Sequence, residues 1–504
     1  MTTAHEEIER KYEGSLSQPL APDGLPRVTR VVPGGTEHLD AVYYDTVDLR
    51  LLRGGITLRR RSGGQDAGWH LKTPGAEDSR TETRLPLDVQ DGRRPPEEMV
   101  RLTRGAARGR PLSPVAHLRT TRERTVLEGG DGRVLAELVR DEVIAHPLAP
   151  GTFEADGAAA DAWVETEVEL VDGPRELLDA VEHRLGELGL RRAADRSKLQ
   201  RALGGRLDGL PAEAAAEPAE GSVGAALTAY LREQAAALRE LDPAVRLDRP
   251  DSVHRMRVHI RRLRSALAAH RRVVDRSVTE PLSRELRWFG RVLGRARDAE
   301  VLGERLGTQA AALPAAGRPD EVGARIAEWF GGHYAYAHRA AVHVMENERY
   351  FALLDAVEEL AARPPLTERA GRGKPEARKA LKKQQRRAVR QLGAALDLPP
   401  GTDRDAALHR ARKAAKRARY AAEALRPAKP GRAERLRKRM KRIQQPLGSH
   451  QDGVVAEPAL LELAAEARRH GEDTFGHGLL YGRQRAHEEE QVEDAAKAWR
   501  KAKG

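Results

Sequence analysis

Charged side chains recur at every second position through the first two hundred residues, and a strand is the conformation in which alternate residues share a face. Glu7, Glu9 and Lys11 open the pattern, and WVETEVEL repeats it with Glu165, Glu167 and Glu169 on one parity and Val164, Val168 and Leu170 on the other. Between them ITLRRR pairs Arg59 with Arg61, WHLKTPG supplies Lys72, SRTETRLPL aligns Arg80, Glu82 and Arg84, RTTRERTVL aligns Arg122 and Arg124, and VLAELVRDEV places Glu137 and Asp141 on one face. One such strand would be an ordinary antiparallel strand with a solvated face. Several short strands that present only Glu, Asp, Arg or Lys on one parity predict a closed barrel with a charged interior. Such a lining is costly to desolvate unless it holds a ligand of matching charge. A multivalent anion with a hard divalent cation, Mg²⁺ or Mn²⁺, satisfies both signs, because carboxylates hold the metal while Arg and Lys hold phosphate oxygens. The stretch PRELLDAVEHRLGELGL carries Leu177, Leu178, Val181, Leu185 and Leu188 on one side and is expected to cover part of the barrel's apolar outside.

The 504-residue chain is electrostatically divided. Residues 1–220 hold 31 Lys plus Arg against 39 Asp plus Glu, a net of −8, whereas 221–504 hold 57 against 37, a net of +20. The stretch GRLDGLPAEAAAEPAEGS lies at the changeover, so we expect domains at 1–205 and 223–504 with a linker at 206–222. There is no cysteine, which excludes disulfides, thiolate metal sites and cysteine nucleophiles. The opening MTTAHEEIERKYE has no basic and apolar leader and no apolar run is long enough to span a bilayer, so the expectation is a cytoplasmic protein without a membrane partner.

The motifs of the acidic half, in this order and with the later SKLQRAL carrying Lys198, resemble the CYTH, or triphosphate tunnel metalloenzyme, family over roughly residues 1–205. The resemblance implies an antiparallel eight-stranded β-barrel, a tunnel that binds triphosphate groups and hydrolyses them with Mg or Mn. It implies catalytic roles for Glu7, Glu9, Lys11, Lys72, Glu167 and Glu169, metal ligation by Glu7, Glu9, Glu165, Glu167 and Glu169, and phosphate contacts from Arg59, Arg61, Arg122, Arg124 and Lys198, with Arg80 and Arg84 beside them. Glu137 and Asp141 resemble the family's acidic pair after the middle basic strands. No G-x-x-x-x-G-K-[ST] phosphate loop is present.

The basic half reads as helical and duplicated. VHRMRVHIRRLRSAL at 253–267 and LHRARKAAKRARYAA at 408–422 superpose without a gap at an offset of 155 (408 minus 253). Val253, Met256, Ile260, Leu263 and Leu267 form an apolar stripe, matched by Leu408, Ala411, Ala415, Ala418 and Ala422. Beside it run His254, Arg257, Arg261 and Arg264, mirrored by His409, Arg412, Lys416 and Arg419. Like charges one helical turn apart repel by a few tenths of a kcal/mol, roughly, per pair. A duplicated ridge of them, extended by Arg284, Arg287 and Arg291 and by Lys438, Lys441 and Arg442, is better explained by a bound polyanion. The later Leu293-Gly294 and Asp298 answer Leu447-Gly448 and Asp452. His259 and His270 lack counterparts, against a zinc site.

These motifs resemble the CHAD domain, a conserved-histidine α-helical domain, over about residues 220–504. That implies two pseudo-symmetric helical bundles binding inorganic polyphosphate, and with it association with polyphosphate granules. The expectation is thus an α+β chain: a divalent-metal-dependent triphosphatase joined to a polyphosphate-binding module. The alternatives are a non-enzymatic polyphosphate-binding protein, adenylate cyclase chemistry in the tunnel, and nucleic acid as the basic half's ligand, for which only Trp288, Phe289 and Tyr420 offer stacking faces.

Overall fold

The computed structural model describes residues 3–14, 16, 18–75, 78–87, 93–149, 151–156, 160–193, 197–207 and 217–503. The chain divides into two compact units, Met1–Ala212 and Glu213–Gly504.

The first unit is a closed antiparallel barrel. Its strands are β1 (Thr3–Glu13), β2 (Val28–Asp45), β3 (Thr57–Ser62), β4 (Gly68–Pro74), β5 (Ser79–Leu85), β6 (Ser113–Gly129), β7 (Val134–Pro147) and β8 (Asp161–Leu170), with the two-residue β9 (Arg191–Arg192) appended to β1. The order is β5-β4-β3-β2-β6-β7-β8-β1, and β1 closes the ring by pairing with both β8 and β5. The strands are not uniformly short: β2, β6 and β7 have 18, 17 and 14 residues. A strand that long must coil to stay in a closed sheet, and β2 does so through register shifts, one of them at Pro33–Gly35.

Period-two alternation sorts the two faces as expected. Tyr12, Leu127, Leu138 and Val168 pack outward under Leu177, Leu178, Val181 and Leu185 of α3 (Arg175–Glu187), while Leu58, Trp69 and Leu71 pack with Met99 of α2 (Glu97–Thr103). The four-residue α1 (Arg50–Arg53) follows β2. Toward one end the inward positions turn apolar, from Arg122 to Leu118, from Asp141 to Val143 and from Glu165 to Trp163. There Leu199 and Leu203 of α4 (Lys198–Leu207) pack among them as a plug. Helix α4 reaches Leu207, residues 208–216 of the expected linker lie outside the described residues, and the next helix starts where Ser222 Oγ accepts the Ala225 amide at 3.0 Å.

The second unit is all helical: α5 (Val223–Arg246), α6 (Ser252–Ala269), α7 (Arg276–Ala311), α8 (Pro319–Val344), α9 (Glu348–Ala362), α10 (Lys374–Leu396), α11 (Thr402–Ala424), α12 (Pro430–Arg469) and α13 (Phe475–Lys503). Helices α5–α8 and α10–α13 form two sets in which each helix packs on its successor; α9 joins the sets, and α6 packs against α11 across the duplication. The apolar stripes of α6 and α11 are buried throughout and belong to one core, bulky on α6 and mostly alanine on α11.

Candidate functional site

The barrel interior is a ring of interlocked opposite charges. Strand β1 sets Glu9 opposite Glu169 and Lys11 opposite Glu167 of β8, and Glu7 opposite Arg80 of β5. Lys72 Nζ lies 2.5 Å from Glu7 and 3.9 Å from both Glu9 and Glu82. Lys11 pairs with Glu167 and stands 3.7 Å from Glu9. Lys198, in the first turn of α4, sends its ammonium between Asp141 (2.9 Å), Glu165 (2.6 Å) and Glu167 (2.8 Å). Arg122 grips Asp141 with two bonds of 2.8 and 2.7 Å and reaches Glu167 at 3.3 Å. Arg59 donates to the Tyr43 hydroxyl at 3.2 Å, and Arg61 pairs with Asp66.

Proton affinities follow from this wiring. Burial alone would raise Glu9, but Lys11 and Lys72 outweigh it and hold its carboxyl at about 2. The same contest leaves Glu167 well below the usual range, through Lys11, Lys198 and Arg122. Glu169 goes the other way: burial, reinforced by repulsion from Glu7 and Glu9, pushes it up to about 7. Among the described residues Glu169 makes no ion pair. Burial, with Arg59 as a neighbour, draws Arg61 down to about 10.

Glu7, Glu9, Lys11, Arg59, Arg61, Lys72, Arg80, Arg84, Arg122, Glu167, Glu169 and Lys198 are brought around one cavity of about 60 Å³. Glu165 and Arg124 do not line it. Glu165 is taken by Lys198 and by the Trp163 indole, which donates at 2.7 Å, and Arg124 turns to Glu137 (2.6 Å) and Glu37 (3.6 Å). Sequence reasoning assigned no role to Tyr43, Asp66 or Glu82, which also line the cavity. Glu82 shares its parity with Arg80 and Arg84 and was legible; Asp66 sits in the β3–β4 turn, where no period applies. The donors suit a hard divalent cation. All are carboxylate oxygens, and Glu9 Oε1 is buried without accepting a hydrogen bond, its cations no nearer than 3.7 Å (Lys11) and 3.8 Å (Arg80).

In the helical unit the two ridges meet between α6 and α11. Arg257 donates to Gly294 O at 3.2 Å and pairs with Asp298 at 3.0 Å. Its mirror Arg412 lies over Gly448 and 3.8 Å from Asp452. At both glycines a Cβ would already touch the guanidinium at 3.5 Å, and a longer side chain would displace it. Arg261 crosses the duplication to donate to the Tyr420 hydroxyl at 3.1 Å, and Arg419 lies over the same ring, 4.7 Å from its centre. Lys416 is enclosed by these cations, and burial together with Arg261 and Arg412 drives its ammonium down to about 6. His254 and His409 are both held below the ordinary imidazole value, by burial first and by neighbouring cations second. Arg264 is drawn to about 10 by burial and by Arg287, Arg417 and Arg291. The aromatic residues give no stacking platform: Tyr420 and Phe289 are buried, and Trp288 carries Arg349 over its ring at 4.0 Å.

Comparison with known proteins places both halves. A CYTH domain model matches residues 5–202 and a CHAD domain model residues 229–461. The uncharacterized protein Rv2226 of Mycobacterium tuberculosis is 38% identical over 488 residues, 95% of this chain and 92% of that protein. Among solved structures, PptA from Streptomyces chartreusis is similar at 25% identity over 55% of this chain and 99% of its own (TM-score 0.46). The CHAD domain from the plant Ricinus communis is similar at 24% identity over 58% and 96% (TM-score 0.44). Among the described residues no helix is long and apolar enough to cross a membrane.

Proposed function

The chain belongs to the family of proteins that join a CYTH domain to a CHAD domain, and from that premise we propose that its barrel is a divalent-metal-dependent triphosphatase and its helical unit a polyphosphate-binding module. The observation that carries the reading is the sorting of charge in the tunnel, where Arg59 and Arg61 of β3 stand opposite the carboxylates of β8 in the ring of eight strands.

Arg59, Arg61, Lys72 and Arg122 take the oxygens of the triphosphate. As it enters, Lys11, Lys72 and Lys198 exchange a carboxylate partner for a phosphate one, so charge stays compensated at every stage. Glu7 and Glu9, which lie against Lys72 and Lys11 before entry, would then be free to hold Mg²⁺ or Mn²⁺, which when bound would polarise a phosphoryl oxygen or the attacking water. Glu169, unpaired and raised to about 7, is the carboxylate there that can take a proton near neutrality. The α4 plug closes one end with apolar side chains and fixes Lys198 against the carboxylates of β7 and β8.

The test is phosphate release from tripolyphosphate, ATP and long-chain polyphosphate with Mg²⁺ or Mn²⁺. Glu9→Gln is expected to cost on the order of 100-fold or more in kcat while the thermal transition is retained. No release by the wild-type protein from any of these would overturn the triphosphatase reading, and pyrophosphate release from ATP would replace it with cyclase chemistry.

A further inference from the structure

The cations of α10 belong to neither ridge. Lys379, Lys382, Lys383, Arg386, Arg387 and Arg390 form a row along this helix and face a concavity of about 800 Å³, walled by the end of α6, the start of α7 and Arg417 of α11. Its one carboxylate, Glu280, belongs to Arg276. None of the six pairs with a carboxylate among the described residues, nor do Arg271 and Arg417 on the facing walls. Their mutual repulsion is visible in Arg417, which burial, Arg387 and Arg271 together draw below the usual guanidinium value.

The duplication supplies an internal control. Helix α5 is the mirror of α10: buried Leu231 and Gln234 answer buried Leu381 and Gln384 at a common offset of 150 (384 minus 234). On that alignment the six cations stand where α5 has Ala229, Arg232, Glu233, Ala236, Ala237 and Glu240. The mirror of Arg417 is Arg262, which has Glu423 at 3.5 Å; the mirror of Glu423 is Ala268, a lining residue of the basin. One flank of the pseudo-dyad is therefore neutralised by carboxylates, and the other has lost them and gained cations. A solvated surface gives no reason for such one-sided accumulation against repulsion.

We propose that this basin is a second, one-sided anion site that takes a flexible, sugar-free phosphate chain passing from the α6–α11 ridges through Arg264 and Arg417 into the α10 wall. Arg264 and Arg417 are electrostatic neighbours, which joins the two cation groups into one track. No aromatic side chain lines the basin, so bases would find no stacking face, whereas a bare polyanion needs only cations at short intervals. The inference deepens the polyphosphate-binding reading by giving the ligand a path and a direction.

The experiment installs the mirror flank's own residues in the full-length protein: Ala268→Glu alone, and Lys383→Glu with Arg390→Glu. All three positions are exposed, so the fold should survive, which circular dichroism checks. Binding of long-chain polyphosphate is measured by titration calorimetry at two salt concentrations, beside duplex DNA of equal charge. The double variant is expected to bind polyphosphate at least roughly tenfold more weakly with a shallower salt dependence, and Ala268→Glu alone a few-fold more weakly. Wild-type affinity in folded variants would overturn the basin while leaving polyphosphate binding at the ridges standing. Failure of the wild-type protein to bind polyphosphate would overturn both, and tighter DNA binding that the variants abolish would overturn the choice of ligand.

Discussion

The barrel and the helical unit gather charge in opposite ways. In the tunnel nearly every cation lies against a carboxylate, so the enclosure is neutralised before any ligand arrives: Lys198 alone touches three acids. On the helices cations face cations, and Lys416 sits among Arg261, Arg412 and Arg419 with its proton affinity lowered to about 6. On the proposed reading the first arrangement would bind an anion by exchange and would have to find a new partner for each carboxylate it frees, which is the place for a divalent metal. The second would bind by relief of repulsion, with no carboxylate freed for a metal to take. Affinity in the tunnel should therefore depend on the cation supplied, and affinity on the helices mainly on salt.

The sharpest way to break the contrast is Lys198→Met. If the tunnel is held together by interlocked pairs, removing this ammonium leaves Glu165 with only the Trp163 indole and takes one of the cations from Asp141 and Glu167, which keep Arg122 and Lys11, and should cost the barrel about 3 kcal/mol, read as a lowered denaturation midpoint. A loss below about 1 kcal/mol would mean that the acids are solvated and the interlocking is incidental.

A second test uses pH on metal-free protein. Glu169 is raised from 4.5 to about 7, so the folded state binds more protons than the unfolded between those values. Its contribution is fully present below about 4.5 and is lost as pH rises through about 7. Urea unfolding in chelator should show stability falling over that window, with Glu7, also raised by burial, adding the same sign, and Glu169→Gln should flatten most of the slope. Glu9 and Glu167 are lowered, so their stabilisation disappears only on acidification below the usual carboxylate range.

The smallest effect concerns Lys416. A polyanion should restore its proton affinity, so binding at about pH 7.5 should take up close to one proton, seen as a dependence of calorimetric enthalpy on the buffer's ionisation heat. No proton uptake would place the ligand away from the α6–α11 junction.

How much of this could be read in the sequence follows from the range of the interactions. The charged parity of Glu7, Glu9 and Lys11 and of Glu165, Glu167 and Glu169 is a local, period-two signal, and it pointed correctly to a charged interior. That β1 would close on both β5 and β8 is set by pairing across 73 residues (80 minus 7) and 160 residues (169 minus 9), for which no local pattern exists. Glu165 and Glu167 share a face, yet the Trp163 indole and Lys198 separate their roles by taking Glu165 out of the cavity lining. The ridge residues were legible because they repeat. The α10 row was overlooked for the converse reason: its mirror on α5 does not share it, so a search for repetition passes over the place where the two halves differ.

The closure of the barrel has a consequence for how the protein is made. Glu7, Glu9 and Lys11 lie on the seam strand, which is synthesised before its partner β8, about 150 residues further along the chain. Contacts of that sequence separation form slowly, because chain closure must be completed before the pairing contributes. The ring of charge is thus assembled in the final stage of barrel folding, and a nascent or truncated chain lacking β8 carries half of each ion pair and none of the enclosed chemistry.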